Sequence, residues 1–299
     1  MDVSLIEVPY HAGDESVGAS AGPRRLVEAG AERVLAARGI DVSVERVGRM
    51  EPFRDTAVSA ATVNTELAAR VRAAVDTGRL PLVLAGSCNS ALGVLAGFDH
   101  ASCGAVWLDA HGDFNTPETT VSGFFAGMSM AILTGRCYRA YWAQSGDATP
   151  LAEEAIVMYG VRSLSPEAER ERLERSPIEV VSWRDGRPET ELVAPLERLS
   201  RRVDDVYLHV DFDAFAPEVA PGVVDEPVAG GLSREQAEEI IQATVDRFRI
   251  RAATLATFTP ERDEGDATLR LALRMLELLA DYAARDESQR RALAPGSGR

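Results

Sequence analysis

Short unbroken apolar runs alternate with amphipathic stretches along this chain. Val3 to Val8, Pro81 to Ala85, Ala105 to Ala110, Ala155 to Val161, Ile178 to Trp183, Val206 to Asp213 and Ala252 to Phe258 read as buried strands. Between them, Val63, Leu67, Val71 and Val75 recur at helical spacing, predicting a helix over Thr62 to Thr77. Pro23 to Arg38 reads as another helix, with Pro at its first turn and Gly39 just past its end. Further helices are expected over Ser122 to Thr134, after Ser165 (as N-cap, with Pro166 first in the helix), and near Glu189 to Arg202, Arg234 to Phe248 and Asp266 to Ala284. Asp41 to Arg54 is ambiguous and is read as a short strand and a loop. Buried strands alternating with helices predict an α/β fold whose mainly parallel sheet is covered on both faces. With no linker or repeat in view, residues 1–290 are read as a single domain and 291–299 as a disordered tail.

The chemistry concentrates at two strand ends. In VWLDAHGDFN, Asp109, His111 and Asp113 alternate with Ala110, Gly112 and Phe114, so an extended backbone would turn all three side chains to one side. In YLHVDFD a second apolar run ends in Asp211 and Asp213, again two apart. Carboxylates gathered at neighbouring buried strand ends repel one another, and divalent cations held by oxygens and one imidazole relieve that repulsion. Such ends are also where open α/β sheets bind ligands. The turn GSCN after Pro81 to Ala85 brings Cys88 near an apolar helix, where a thiol is either a small buried hydrophobe or, beside a cation, a ligand. His11, just after the first strand, is read as a loop histidine.

Composition narrows the partners. With 47 acidic against 32 basic residues and a formal net charge of −15, the chain is a poor match for nucleic acid or an anionic membrane. The amino terminus lacks a basic region followed by an apolar one, and no apolar run approaches membrane-spanning length, so a cytoplasmic location without a membrane segment is expected. Three scattered cysteines do not make a disulfide framework. The surfaces carry no signature of oligomeric state and leave a homo-oligomer open.

WLDAHGDFNTPETTVSG and HVDFDAFAPEVAPG together resemble the arginase (ureohydrolase) family, and VLAGSCNSALG, MYGVRSLSP and DEPVAGGLSREQ extend the resemblance over about residues 80 to 235. The resemblance implies a three-layer α/β/α fold and two Mn²⁺ ions that activate a bridging hydroxide to attack a small-molecule guanidino carbon. By position it implies Asp109, His111, Asp113, Asp211 and Asp213 as metal ligands, Asp113 also as proton acceptor, and Asn115 and Ser122 at the carboxylate of an amino-acid substrate. The remaining family ligand is a histidine in a GGDHS-like turn, and Cys88 stands there.

The departures bear on the substrate. Ala126 occupies the position of the histidine proposed to pass a proton to the leaving amine, Thr257 that of a glutamate facing the guanidinium, and Ser165 that of the acid meeting the substrate amino group. Glu226, nearby, could replace the missing charge or be an ordinary loop acid. The lost histidine and the cysteine-for-histidine exchange are similar to the Nω-hydroxy-L-arginine hydrolase of D-cycloserine biosynthesis. Two functions follow as expectations: a manganese-dependent C–N hydrolase of a modified guanidino compound, or a catalytically impaired protein of this fold that binds a ligand or partner.

Overall fold

The computed structural model describes residues 1–11, 14–15, 18–48, 56–184, 186–223 and 227–293. Eight parallel strands form the central sheet: β1 (Val3–Val8), β2 (Val42–Arg46), β3 (Leu80–Ala85), β4 (Cys103–Leu108), β5 (Ile156–Tyr159), β6 (Glu179–Val181), β7 (Asp205–Asp211) and β8 (Arg249–Ala256). Their order is β2-β1-β3-β8-β7-β4-β5-β6. The two acid-bearing strands β4 and β7 are therefore neighbours, with Leu108 opposite Val210 and Trp107 opposite His209.

Most of these strands are buried along their whole length, which is why they read as continuous apolar runs. Helices cover both faces and give the expected three layers. On one side α3 (Thr56–Asp76), α4 (Ser90–Ala96) and α5 (Ser129–Leu133) pack over Val83, Ala105, Trp107 and Tyr207. On the other, α1 (Gly22–Ala29), α2 (Ala31–Ala36), α8 (Ala194–Leu199), α9 (Arg234–Arg247) and α10 (Ala267–Leu293) pack over Leu5, Leu82, Val106 and Leu208. Short helices α6 (Arg139–Trp142) and α7 (Glu167–Glu174) complete the chain. No helix among the described residues is long and apolar enough to cross a membrane.

Several boundaries differ from the sequence reading. The helix expected over Pro23 to Arg38 is broken at Gly30, whose φ of 106° leaves the helical region. In the ambiguous segment the expected short strand is the edge strand β2, and residues 49–54 lie outside the described residues. The helix expected from Ser122 starts only at Ser129, after a single 3₁₀ turn over Ala126–Met128, because the small residues before it form the rim of a cleft. Only Ala194–Leu199 of the expected Glu189 to Arg202 helix is helical. Pro166, not Ser165, is the N-cap of α7, and the Ser165–Pro166 peptide is cis. Residues 294–299 of the expected tail lie outside the described residues, as does Glu226.

Candidate metal centre

Four adjacent strands, β3, β8, β7 and β4, deliver the polar groups from their carboxyl ends. Strand β4 stops at Leu108, so the extended alternation that predicted convergence does not continue to Asp113. His111 is held instead by a single bridge to Ser163, and Asp113 adopts a left-handed φ of 48°. That uncommon backbone state, tolerated best by Asn, Asp and Gly, returns the carboxylate to the cluster. A comparable turn follows β7. Asp211 Oδ1 accepts a hydrogen bond from the Asp213 backbone N–H at 2.8 Å and caps the 3₁₀ turn Phe212–Ala214.

The six side chains singled out in the sequence meet. Oxygen, nitrogen and sulfur atoms of Cys88, Asp109 and Asp113 lie within 4.8 Å of one another, as do those of Asp109, His111 and Asp213. A third such group joins Cys88 and Asp211 to His209. Cys88 Sγ donates to Asp211 Oδ2 at 2.7 Å, and the Thr257 hydroxyl donates to Asp211 Oδ1. Asp109 accepts from Trp107 Nε1 at 3.0 Å and from the His111 backbone at 2.7 Å. His111 Nδ1 sits 2.9 Å from Asp213 Oδ2, whose Oδ1 accepts from the Ala110 backbone at 3.0 Å.

The electrostatics of this arrangement are those of a cluster short of positive charge. Burial, then the Asp213 charge, pushes Asp109 up to about 6. Burial and neighbouring carboxylates hold Asp113 and Asp211 well above the usual carboxylate range, and burial beside Asp211 does the same to the Cys88 thiol. Burial works against a charged His111, but its bonds to Asp109 and Asp213 prevail and raise it to about 12. Asp213 is likewise penalised by burial, yet its pairing with His111 holds it below the usual range. Asp113 Oδ2 is buried with no hydrogen-bond partner among the described residues. An orphaned carboxylate oxygen facing other acids is costly without a cation. The donor set therefore fits divalent metal.

A cleft of about 160 Å³ opens above the cluster, lined by His111, Asp113, Asn115, Ser122, Ser165 and Glu169 among others. Asn115 Nδ2 donates to the Ser165 carbonyl at 3.0 Å, and its Oδ1 accepts from Thr119 Oγ1 at 3.0 Å. Exposed Ser122 accepts from the Phe124 backbone at 3.1 Å. Buried Glu169 ties two loops together, accepting from the Phe114 and Ser165 backbones at 3.0 Å each. His11 lies outside this lining, its Nδ1 2.9 Å from the Gly86 carbonyl and its ring 5.8 Å from Phe124. Gly86 itself permits the close passage before Cys88: a Cβ there would come within 2.8 Å of the Ser20 and Tyr10 backbones.

The pattern of the Arginase family matches residues 1–280. The chain belongs to the arginase family. Among its relatives, the arginase of Bacillus caldovelox is 30% identical over 92% of this chain and 96% of its own. The mitochondrial arginase-2 of Rattus norvegicus is 29% identical over 91% of this chain and 82% of its own. The solved structure of Bacillus cereus arginase superposes with a TM-score of 0.82 at 30% identity, covering 94% of this chain and 98% of that one. As an arginase-family hydrolase, the chain carries in this cluster the candidate ligands of the metal centre the family uses.

Sequence reasoning overlooked four residues here, and the hydrogen bond made by Thr257. Trp107 and His209 each precede a predicted ligand by two positions, so the alternation that found Asp109 and Asp211 already placed them on the same face. His209 is fully buried, stacked on Trp107 with centroids 3.7 Å apart, and burial pulls it down to about 3, leaving it neutral. The role of Thr257 depends on its positive φ of 66° and that of Glu169 on a loop closure; neither has a sequence signal. Arg162 donates to the carbonyls of Gly160, Asp213, Ala214, Phe215, Val228 and Ala229 and so fastens the β5 and β7 loops together.

Proposed function

We propose that this protein hydrolyses a C–N bond of a modified guanidino compound, with Nω-hydroxy-L-arginine the leading candidate, at a binuclear Mn²⁺ centre. Cys88, Asp109, Asp113 and Asp211 would hold one ion, and Asp109, His111, Asp211 and Asp213 the other. Two such cations supply the Lewis acidity that makes water a competent nucleophile near neutral pH. The observation that carries the reading is the meeting of three buried carboxylates, the half-buried Asp213 and a thiol, with His111 as their only partner cation among the described residues of the cluster.

The chain's own residues divide the remaining work. Asp113, with its unpartnered Oδ2 at the base of the cleft, accepts the proton from the attacking water. The water oxygen bonds to the guanidino carbon, the bond from that carbon to the alkyl-bearing nitrogen breaks, and the nitrogen leaves with the proton that Asp113 took up. Asn115, Ser122 and Ser165 at the rim receive the amino-acid end of the substrate. Thr257 uses its hydroxyl on Asp211, so this position offers no carboxylate to balance a guanidinium charge. Ala126 is buried and offers no imidazole to the leaving amine. Both features favour a substrate that is neutral when bound. An N-hydroxyguanidine is less basic than a guanidine, and an alkylguanidine needs more help from a proton donor.

Incubating purified protein with Mn²⁺ and offering arginine and Nω-hydroxy-L-arginine tests this directly. About two Mn per chain, with hydroxyurea released faster than urea, is expected. A chain that takes up no metal refutes the hydrolase reading, and a preference for arginine refutes the substrate.

A further inference from the structure

Beneath the acid cluster lies a histidine that the reading above does not use. Tyr207, His209 and Asp211 alternate along β7 and so share one face, with Trp107 of β4 stacked flat on the imidazole at an interplanar angle of 9°. The Tyr207 hydroxyl donates to Thr254 Oγ1 at 2.8 Å and lies 2.9 Å from His209 Nδ1. With the hydroxyl proton committed to Thr254, the phenol oxygen accepts from Nδ1–H. That fixes the tautomer, and the lone pair of the imidazole is left on Nε2. Nε2 is fully buried and has no hydrogen-bond partner among the described residues. A ring nitrogen of His209, Cys88 Sγ and an Asp211 oxygen lie within 4.8 Å of one another.

We propose that His209 Nε2 is a metal ligand on the Cys88 side of the centre, returning from strand β7 the imidazole that Cys88 removes from the β3 turn. The inference rests on the proposed metal centre. A purely structural histidine would leave Nε2 buried with its lost hydration uncompensated. An apolar ring would stack on Trp107 without that cost. The Tyr207–His209 pair also has the form of an outer partner that orients a ligating imidazole and fixes its tautomer. With sulfur and nitrogen both present, this position is softer than one of carboxylates alone and accepts Zn²⁺ as readily as Mn²⁺.

The chain has four histidines, so a ¹⁵N-histidine-labelled sample of the full protein is simple to read. Zn²⁺ is added to metal-free protein and the ring nitrogens are followed by NMR, with His209→Gln and His111→Asn identifying their signals. The expected result is that Nε2 of His209 moves from the position of a bare imidazole nitrogen to that of a metal-bound one, together with a nitrogen of His111. His209→Gln should also weaken Zn²⁺ binding by roughly 10- to 100-fold in calorimetry. If His209→Gln does not fold, His11→Gln and His100→Gln assign the remaining signal by elimination in protein that keeps His209. A shift at His111 with none at His209 overturns this inference and leaves the hydrolase reading standing. No shift at either overturns both.

Discussion

Replacing Arg162 with lysine removes donors while keeping the charge, and the structure sets the size of the effect. The guanidinium is shared among six backbone carbonyls at 2.9–3.2 Å, drawn from the ends of β5 and β7 and from Val228 and Ala229. Arginine offers five N–H donors and an ammonium three, so at least two hydrogen bonds are lost. Bonds to a charged partner contribute about 1.5–3 kcal/mol each, giving about 3–6 kcal/mol. The contact with Ala229 faces solvent, which places the expectation at the lower end, about 3 kcal/mol. For a chain of this length that is a fall in Tm of roughly 5–10 °C. Differential scanning fluorimetry in EDTA reads it without interference from metal. Arg162→Ala should fall further. If Arg162→Lys melts within about 1 °C of the parent, the carbonyls find other partners and the guanidinium is not what fastens these loops.

Other expectations concern the acids. Asp109 is held at about 6 against an ordinary 3.8, and burial and neighbouring carboxylates also hold Asp113 and Asp211 well above the ordinary value. A carboxyl with a raised folded pKa stabilises the fold below its unfolded value, and that stability is lost as pH rises through the folded value. Metal-free protein should therefore weaken in urea as pH climbs from 3.8 through about 6 and beyond. Raised His111 acts in the same direction at higher pH, and Mn²⁺ should flatten the slope. Cys88→Ser should weaken Zn²⁺ binding roughly tenfold more than Mn²⁺ binding, as calorimetry would show. The double variant Ala126→His with Thr257→Glu should raise the rate on arginine relative to hydroxyarginine by at least about tenfold, measured as urea against hydroxyurea. Gly86→Ala should cost about 1–3 kcal/mol in urea denaturation, because its Cβ meets backbone that cannot step aside.

The sheet was legible because its strands are buried on both faces and therefore appear as plain apolar runs bounded by turns. The acids at the ends of β4 and β7 were legible for the same reason, since polar residues break those runs abruptly. Their convergence was predicted by a mechanism only half correct. Asp109 follows strand alternation, whereas Asp113 arrives through a left-handed turn that no periodicity announces. Helix lengths failed where loops shape the cleft, as at Ser122–Met128, because small residues suit a rim as well as a helix start. Tertiary partners such as Arg162, Glu169 and Thr257 leave no local trace: each is chosen by groups distant in sequence. His209 is the instructive omission. It stood in phase with Asp211, but one apolar-looking strand position gave no reason to single it out.

The Cys88 turn, Thr257, the Asp211–Asp213 turn and the Asp109–Asp113 turn are anchored to four strands lying side by side at the middle of an eight-strand sheet. Asn115, Ser122 and Ser165 belong to the excursions above it. In the function proposed above, reactivity and selectivity are mounted on different parts of the scaffold, one on the middle of the sheet and the other on the loops above it. On that proposal, descendants of this chain would trade one small molecule for another by rewriting the excursions, with the floor of acids left as it is.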